Sequence, residues 1–341
     1  RRLGITQGAL SRIESGSLGL DDSGLKRLTG VLNYPASFFR QKRLVYGLGL
    51  VEVFHRKRQS VGIKALDKVY SLIDIRTNEI SKMLKGVELG AVDVPCFNLE
   101  DYDGDASEIA RMVKAKWRIP HGPVQNVTAC FERARGIVVP FDFEHNSIDA
   151  ISHWLPILPP IVFINKYIPS DRLRFTLAHE LGHIVMHQKS PTSEIEKEAN
   201  KFAAEFLMPE RDIRPYLADL SIEKLASLKP YWKVAMSALL KRAVDLGEIS
   251  DRHGRTLWMQ LSKSGYKIRE PMELDIPTET PTLLKELIKV YIDDMDYDMA
   301  DLAQLLNLFE DEVLSVYLDK SDHQTLVLKE VDNILRNHQN P

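Results

Sequence analysis

Two histidines four residues apart, His179 and His183, lie in the stretch DRLRFTLAHELGHIVMHQ (171–188). On a helix that spacing puts both imidazoles on one face, roughly 5–6 Å apart, close enough for their ring nitrogens to share one zinc ion. Glu180, directly after the first histidine, would stand beside the metal's open position. From there it can take a proton from a bound water and pass it to a leaving amine. The surrounding residues fit such a helix. Asp171 suits the positive end of the helix dipole, and Leu173, Leu177, Leu181 and Ile184 recur at helical spacing as anchors in a core. Gly182 costs helix propensity, of order 1 kcal/mol relative to Ala, and its missing side chain would let another backbone approach the metal. His187 is a further turn on, about 12 Å along the helix from His179, too far to share the same ion. It reads as a histidine at the helix C-terminus.

HExxH pairs also occur by chance, so the motif needs a third ligand. Thirteen residues after His183 comes Glu196, in SEIEKEANKFAAEFLMP (193–209). Glu196, Ala199, Asn200 and Ala203 fall on one side of the expected helix, and the small residues there permit close approach to the first helix. Glu198 is the rival ligand, although its face, with Lys201 and Glu205, reads as solvated. A third reading makes Glu196 part of a capping box with Ser193. Two imidazoles and a carboxylate favour Zn2+ over other metals.

HELGH preceded by DRLRFTLA, with ExEANxFAAxFLMP downstream, resembles the ImmA/IrrE family of zinc metallopeptidases. The Glu-x-x-x-Asn spacing of Glu196 and Asn200 is similar to the Glu-x-x-x-Asp of gluzincin peptidases, which favours Glu196. The resemblance implies metal ligands at His179, His183 and Glu196, with Glu180 as acid/base. It also implies cleavage of a single regulatory protein, such as a repressor or antitoxin, in a stress, phage or mobile-element response. Two alternatives remain. One is a DNA-binding transcriptional regulator whose zinc site is structural or ligand-sensing. The other is a latent peptidase covered by the helical C-terminal region.

The composition of the 341-residue chain, 44% apolar and 27% charged, is that of a soluble globular protein with two or three domains. The most apolar stretch, LPILPPIVFI (155–164), is broken by three prolines, so no membrane partner is expected. No secretory signal opens the chain. Only Cys96 and Cys130 occur, far apart and without a CxxC, so neither a disulfide framework nor a thiolate zinc site is implied and the cytoplasm is the default. The chain opens on Arg1 and reads as a fragment of a longer product.

Residues 1–43 carry eight Lys and Arg against three Asp and Glu, although the whole chain is at −3. This asymmetry points to an anionic partner at that end. TQGALSRIESG (6–16) and a following helix at about 21–32 resemble the second half of an XRE-type helix-turn-helix, lacking the two helices that normally precede it. The resemblance implies DNA binding by the intact domain through Thr6, Gln7, Ser11 and Arg12. Gln7 suits an adenine edge, and Ser11 and Arg12 suit bases or phosphate, with Thr6 and Lys26 weaker backbone contacts. Such a domain on a palindrome would call for a homodimer, although no dimer seam is legible.

The expected fold is α+β and predominantly helical. A partial helix-turn-helix (1–43) and a helical linker region (44–100) precede a gluzincin-like HExxH domain with a small sheet (101–215). An accessory helical region (216–265) and a helical C-terminal region with a Pro/Glu-rich arm (266–341) follow. Within this scheme FHRKR (54–58) reads as a solvated face, and 64–85 as an exposed or interdomain helix. Helices are expected at 106–119 and 121–136, strands at GIVVPFDF (136–143) and IVFIN (161–165), with NSIDAISHW (146–154) as a turn. By the peptidase resemblance, the strand just before the HExxH helix is an edge that pairs with extended peptide. His153 and Trp154 are candidates to line that cleft, against ordinary packing. Lys233, Lys241 and Arg242 could mark a second nucleic-acid helix, and 281–335 a final helical pair.

Overall fold

The computed structural model describes residues 3–41, 62–145, 147–187 and 194–318. FHRKR and the last part of the expected C-terminal pair lie outside them. The described residues form two compact units, 62–73 with 89–283 and 3–41 with 74–88 and 284–318.

The first unit is built around a three-stranded sheet and the HExxH helix. Helices α5 (Ala106–Lys116) and α6 (Val127–Arg133) precede strands β1 (Ile137–Phe141), β2 (Ala150–His153) and β3 (Ile161–Asn165). Helix α7 (Ser170–Met186) carries the motif, and α8 (Ile195–Leu207) carries Glu196. A short α9 (Glu210–Ile213) leads to α10 (Ile222–Trp232), α11 (Met236–Asp245) and α12 (Asp251–Lys263). Among the described residues no helix is long and apolar enough to cross a membrane.

The strand order is β1-β3-β2, with β1 parallel to β3 and β2 antiparallel to it. This corrects two expectations. The stretch read as a turn contains β2, because Ala150, Ile151, Ser152 and His153 are all buried and pair with Ile164, Phe163, Val162 and Ile161. The strand before the HExxH helix, β3, is therefore central and not an edge. All five of its residues are buried, as a continuous apolar run between two neighbours requires. The edges are β2 and β1, and β1 tolerates Pro140 at its one exposed position because an outer strand can forgo a donor. The helix expected at 121–136 is shorter. It starts after the Asn126 side chain caps the Ala129 N–H, since Gly122 and Pro123 hold the preceding residues out of the helix.

Helix α4 (Ile63–Gly86) precedes α5 and was expected as an exposed or interdomain helix; the exposed alternative does not hold, because Leu66, Val69, Tyr70, Ile73, Ile80 and Met83 are buried. Its apolar residues recur at three- and four-residue steps and form a packing face, with exposed Lys64, Asp67 and Lys68 between them.

In the second unit, α1 (Gln7–Glu14), α2 (Asp22–Leu32) and α3 (Ala36–Arg40) open the chain. Its C-terminal part has α13 (Leu283–Asp293), α14 (Met299–Leu306) and α15 (Glu310–Tyr317), three helices where a pair was expected. Asn307, left-handed at φ 57°, stops α14 and divides it from α15. Within this unit Arg76 bridges Glu79 and Glu312, at 2.7 and 2.9 Å, and the Tyr317 hydroxyl donates to Glu79.

Candidate metal centre

Helix α7 is buried along most of its length, yet five of its buried side chains are ionisable: Asp171, Arg174, His179, Glu180 and His183. Buried polar groups need partners, and the helix divides by how it finds them. Asp171 and Glu270 close on the Lys229 ammonium. Arg174 binds the Glu279 carboxylate and the carbonyls of Val124, Gln125 and Lys233. Glu279 also accepts from the Thr128 N–H at 2.8 Å, and Glu270 from the Met236 N–H at 2.8 Å. The Pro/Glu-rich arm is thereby fastened at the first turns of α7, where Ser170 also bonds Thr278 at 2.8 Å. Arg172 pairs with Asp149 at 2.6 Å.

The following turns are arranged differently. The Nε2 atoms of His179 and His183 lie 3.0 Å apart, and each is 3.7 Å from a Glu196 carboxylate oxygen. Among the described residues these three form a cluster able to hold a metal ion. Zinc bonds of 2.0–2.1 Å in a tetrahedral arrangement separate neighbouring ligand atoms by roughly 3.3 Å, and the observed separations straddle that figure. The opposite ring nitrogens are also engaged. His179 Nδ1 is 3.1 Å from the Asn200 amide oxygen, and His183 Nδ1 is 3.0 Å from His187 Nδ1. With each Nδ1 held from behind, both rings turn Nε2 toward the same point. The donor set fits zinc.

Gly182 makes this approach possible. A Cβ there would lie 3.2 Å from the Phe202 ring and 3.3 Å from the Ala199 Cα, so α8 packs directly against the glycine. The element admitted by Gly182 is thus the helix that carries Glu196 and Asn200. Ala199 and Ala203 are fully buried along that contact.

Glu198 was expected on a solvated face, as a rival ligand. Its Oε2 instead lies 3.1 Å from His187 Nε2, away from the His179–His183 pair. Glu205, expected beside it in solvent, is buried against Arg242. Only Lys201 of that face stays half-exposed, 2.7 Å from Asp105. Ser193 of the suggested capping box lies outside the described residues, and α8 is capped at Glu194 without a side-chain bond. His187 is the residue sequence reasoning undervalued. It is fully buried at the C-cap of α7, where burial pushes its imidazole pKa down. The available signal was the repeated four-residue spacing His179, His183, His187.

Glu180 is buried, at 2% exposure. His153 ends β2 with its ring buried, which pushes its pKa down to about 4, and Trp154 packs partly buried against the core. Of Lys233, Lys241 and Arg242, only Arg242 is buried, against Glu205 and the Met208 carbonyl, while Lys233 bonds Gln125 and the exposed Lys241 pairs with Asp245. In the other unit Thr6 caps α1 by accepting from the Ala9 N–H at 3.2 Å, and Gln7, Ser11 and Arg12 are exposed on that helix. Gln7 and Ser11 share a face at i, i+4.

Residues 132–244 match the family model described as the IrrE N-terminal-like domain, Peptidase M78. The matched segment runs from the end of α6 into α11 and includes the sheet, α7 and α8. No curated protein matches the chain. The match supports a metallopeptidase-family domain over the segment that contains the three-residue cluster.

Proposed function

We propose that the chain is a zinc-dependent endopeptidase, with His179, His183 and Glu196 as metal ligands and Glu180 as the acid/base. The observation that carries this reading is the convergence of two Nε2 atoms and one carboxylate, with both Nδ1 atoms engaged from behind. A cluster of three protein ligands suits a catalytic site better than a structural one, which usually takes four. Zinc bound there would supply Lewis acidity, lowering the pKa of water and polarising the peptide carbonyl.

The chain's own residues do the rest. Glu180 removes a proton from the attacking water. The water oxygen adds to the carbonyl carbon, the C–N bond breaks, and Glu180 returns the proton to the departing nitrogen. Burial of Glu180 keeps that proton from bulk solvent. Substrate would lie along β2. Asn165 N–H donates to the Asp149 carbonyl at 2.8 Å, so by antiparallel alternation Ile151 and His153 bond β3, while the backbone groups of Ala150 and Ser152 face outward. An extended peptide would pair with those outward groups as an added strand.

The N-terminal helices would couple the peptidase to DNA through Thr6, Gln7, Ser11 and Arg12, and the substrate would be a regulatory protein such as a repressor or antitoxin. The local excess of positive charge and the exposure of these residues on α1 support that coupling. The test is cleavage of a library of unstructured peptides by the zinc-loaded chain, read by mass spectrometry. Wild type should release new termini, and Glu180→Gln should hold zinc and release none. Equal cleavage by the two proteins would remove Glu180 from the mechanism.

A further inference from the structure

Beyond the three ligands, the structure assigns His187 and Glu198 as positioning residues that fix the tautomer and orientation of His183 for the metal. This rests on the zinc-site reading above and extends it to two residues that touch neither metal nor substrate.

The argument is an accounting of hydrogens. With a metal taking the Nε2 lone pairs of His179 and His183, the 3.0 Å contact between His183 Nδ1 and His187 Nδ1 is a hydrogen bond and needs one hydrogen. A neutral imidazole that gives its Nε2 lone pair to a metal must carry its hydrogen on Nδ1. His183 is therefore the donor in this contact, and His187 accepts at Nδ1. A neutral His187 that accepts at Nδ1 must carry its own hydrogen on Nε2. That nitrogen lies 3.1 Å from Glu198 Oε2, an acceptor. Every hydrogen in the chain then points the same way, from His183 to His187 to the Glu198 carboxylate. The reverse order would place a hydrogen on His183 Nε2, where the ion must bind.

Position supports the same assignment. His187 is fully buried, its backbone N–H bonds the His183 carbonyl at 3.0 Å, and its ring centroid lies 5.1 Å from that of the ring it orients. Glu198 is two residues beyond Glu196 on α8, so one helix supplies both a ligand and the end of the relay. His179 Nδ1 lies 3.1 Å from the Asn200 amide oxygen. The Nδ1 atoms of the two ligand histidines thus face different groups, an amide oxygen for His179 and, through a second imidazole, a carboxylate for His183. Carboxylate support raises ligand basicity, and its loss typically costs 10–100-fold in metal affinity.

The experiment uses the zinc-loaded full chain labelled with 15N at histidine. Long-range 1H–15N spectra should show His183 as the Nδ1–H tautomer and His187 as the Nε2–H tautomer. In parallel, zinc affinity is measured by competition with a chromophoric chelator. His187→Phe and Glu198→Leu should weaken binding by about 10–100-fold, with Glu198→Gln between them and wild type, because its amide oxygen still accepts from Nε2–H. An Nδ1–H tautomer at His187 in wild type would overturn the assignment whether or not the variants fold. So would folded variants that hold zinc within about twofold of wild type. A wild type that binds no zinc would instead remove the zinc-site reading, and this assignment with it.

Discussion

The two halves of α7 solve the same problem in opposite ways. Both bury ionisable side chains beside a hydrophobic core. In the first turns each charge is closed by its opposite, Asp171 on Lys229 and Arg174 on Glu279, and the remaining acceptors are backbone carbonyls. In the later turns the imidazoles are held by their far nitrogens, and their near nitrogens converge with Glu196. Burial alone therefore does not mark a functional site on this helix. The distinguishing feature is whether the donors and acceptors cancel within the protein or remain directed at a common point.

If that contrast holds, breaking the first half should cost stability and breaking the second should cost metal. Glu279→Ala leaves the Arg174 guanidinium buried without its counter-charge and should destabilise this unit by about 3–5 kcal/mol. Urea unfolding followed by tryptophan fluorescence would report it, since Trp117, Trp154, Trp232 and Trp258 all lie in this unit. In the metal-free protein Glu196→Gln should move the same transition little, because Glu196 is half-buried beside the imidazoles of the later turns and not at the charge pairs of the first turns.

His153 sharpens the comparison, as a buried imidazole outside the metal cluster. Its folded pKa of about 4 lies below the ordinary 6.5, so the unfolded chain binds the proton first as pH falls. The stability it protects is complete above about pH 6.5 and is lost between there and pH 4, up to roughly 3 kcal/mol. His153→Phe should flatten that part of the stability-against-pH curve, and an unchanged slope would refute the assignment of the shift to burial.

Gly182→Ala tests the contact between the two site helices. The added methyl meets Phe202 and the Ala199 backbone, so about 1–3 kcal/mol of destabilisation is expected, together with weaker zinc binding as Glu196 moves away. The smallest effect belongs to Thr278→Val, which removes one exposed hydrogen bond to Ser170 and should cost about 0.5 kcal/mol without altering zinc affinity.

The site was more legible in the sequence than the sheet around it. His179, Glu180 and His183 share one helix, and Glu196 lies one short connection away, so helical periodicity alone could bring them together. Strand β2 was missed because its four residues, AISH, show no alternation. All four are buried, and their pairing partner β3 comes later in the chain. Without β2, β3 looked like an edge. Glu198 was misjudged for a related reason. A face with Lys201 and Glu205 looks solvated by residue type, but the buried partners of Glu198 and Glu205 are His187 and Arg242, one of them more than thirty residues away. Charge patterns report solvent exposure only when no distant counter-charge returns to cover them.

Metal content tests the central claim most directly, measured by elemental analysis of purified wild type, Glu180→Gln and Glu196→Gln after metal-replete expression. The account predicts near-stoichiometric zinc in wild type and Glu180→Gln, and its loss in Glu196→Gln. Zinc retained in Glu196→Gln would contradict the three-residue site, and no zinc in any of the three proteins would contradict the peptidase reading itself.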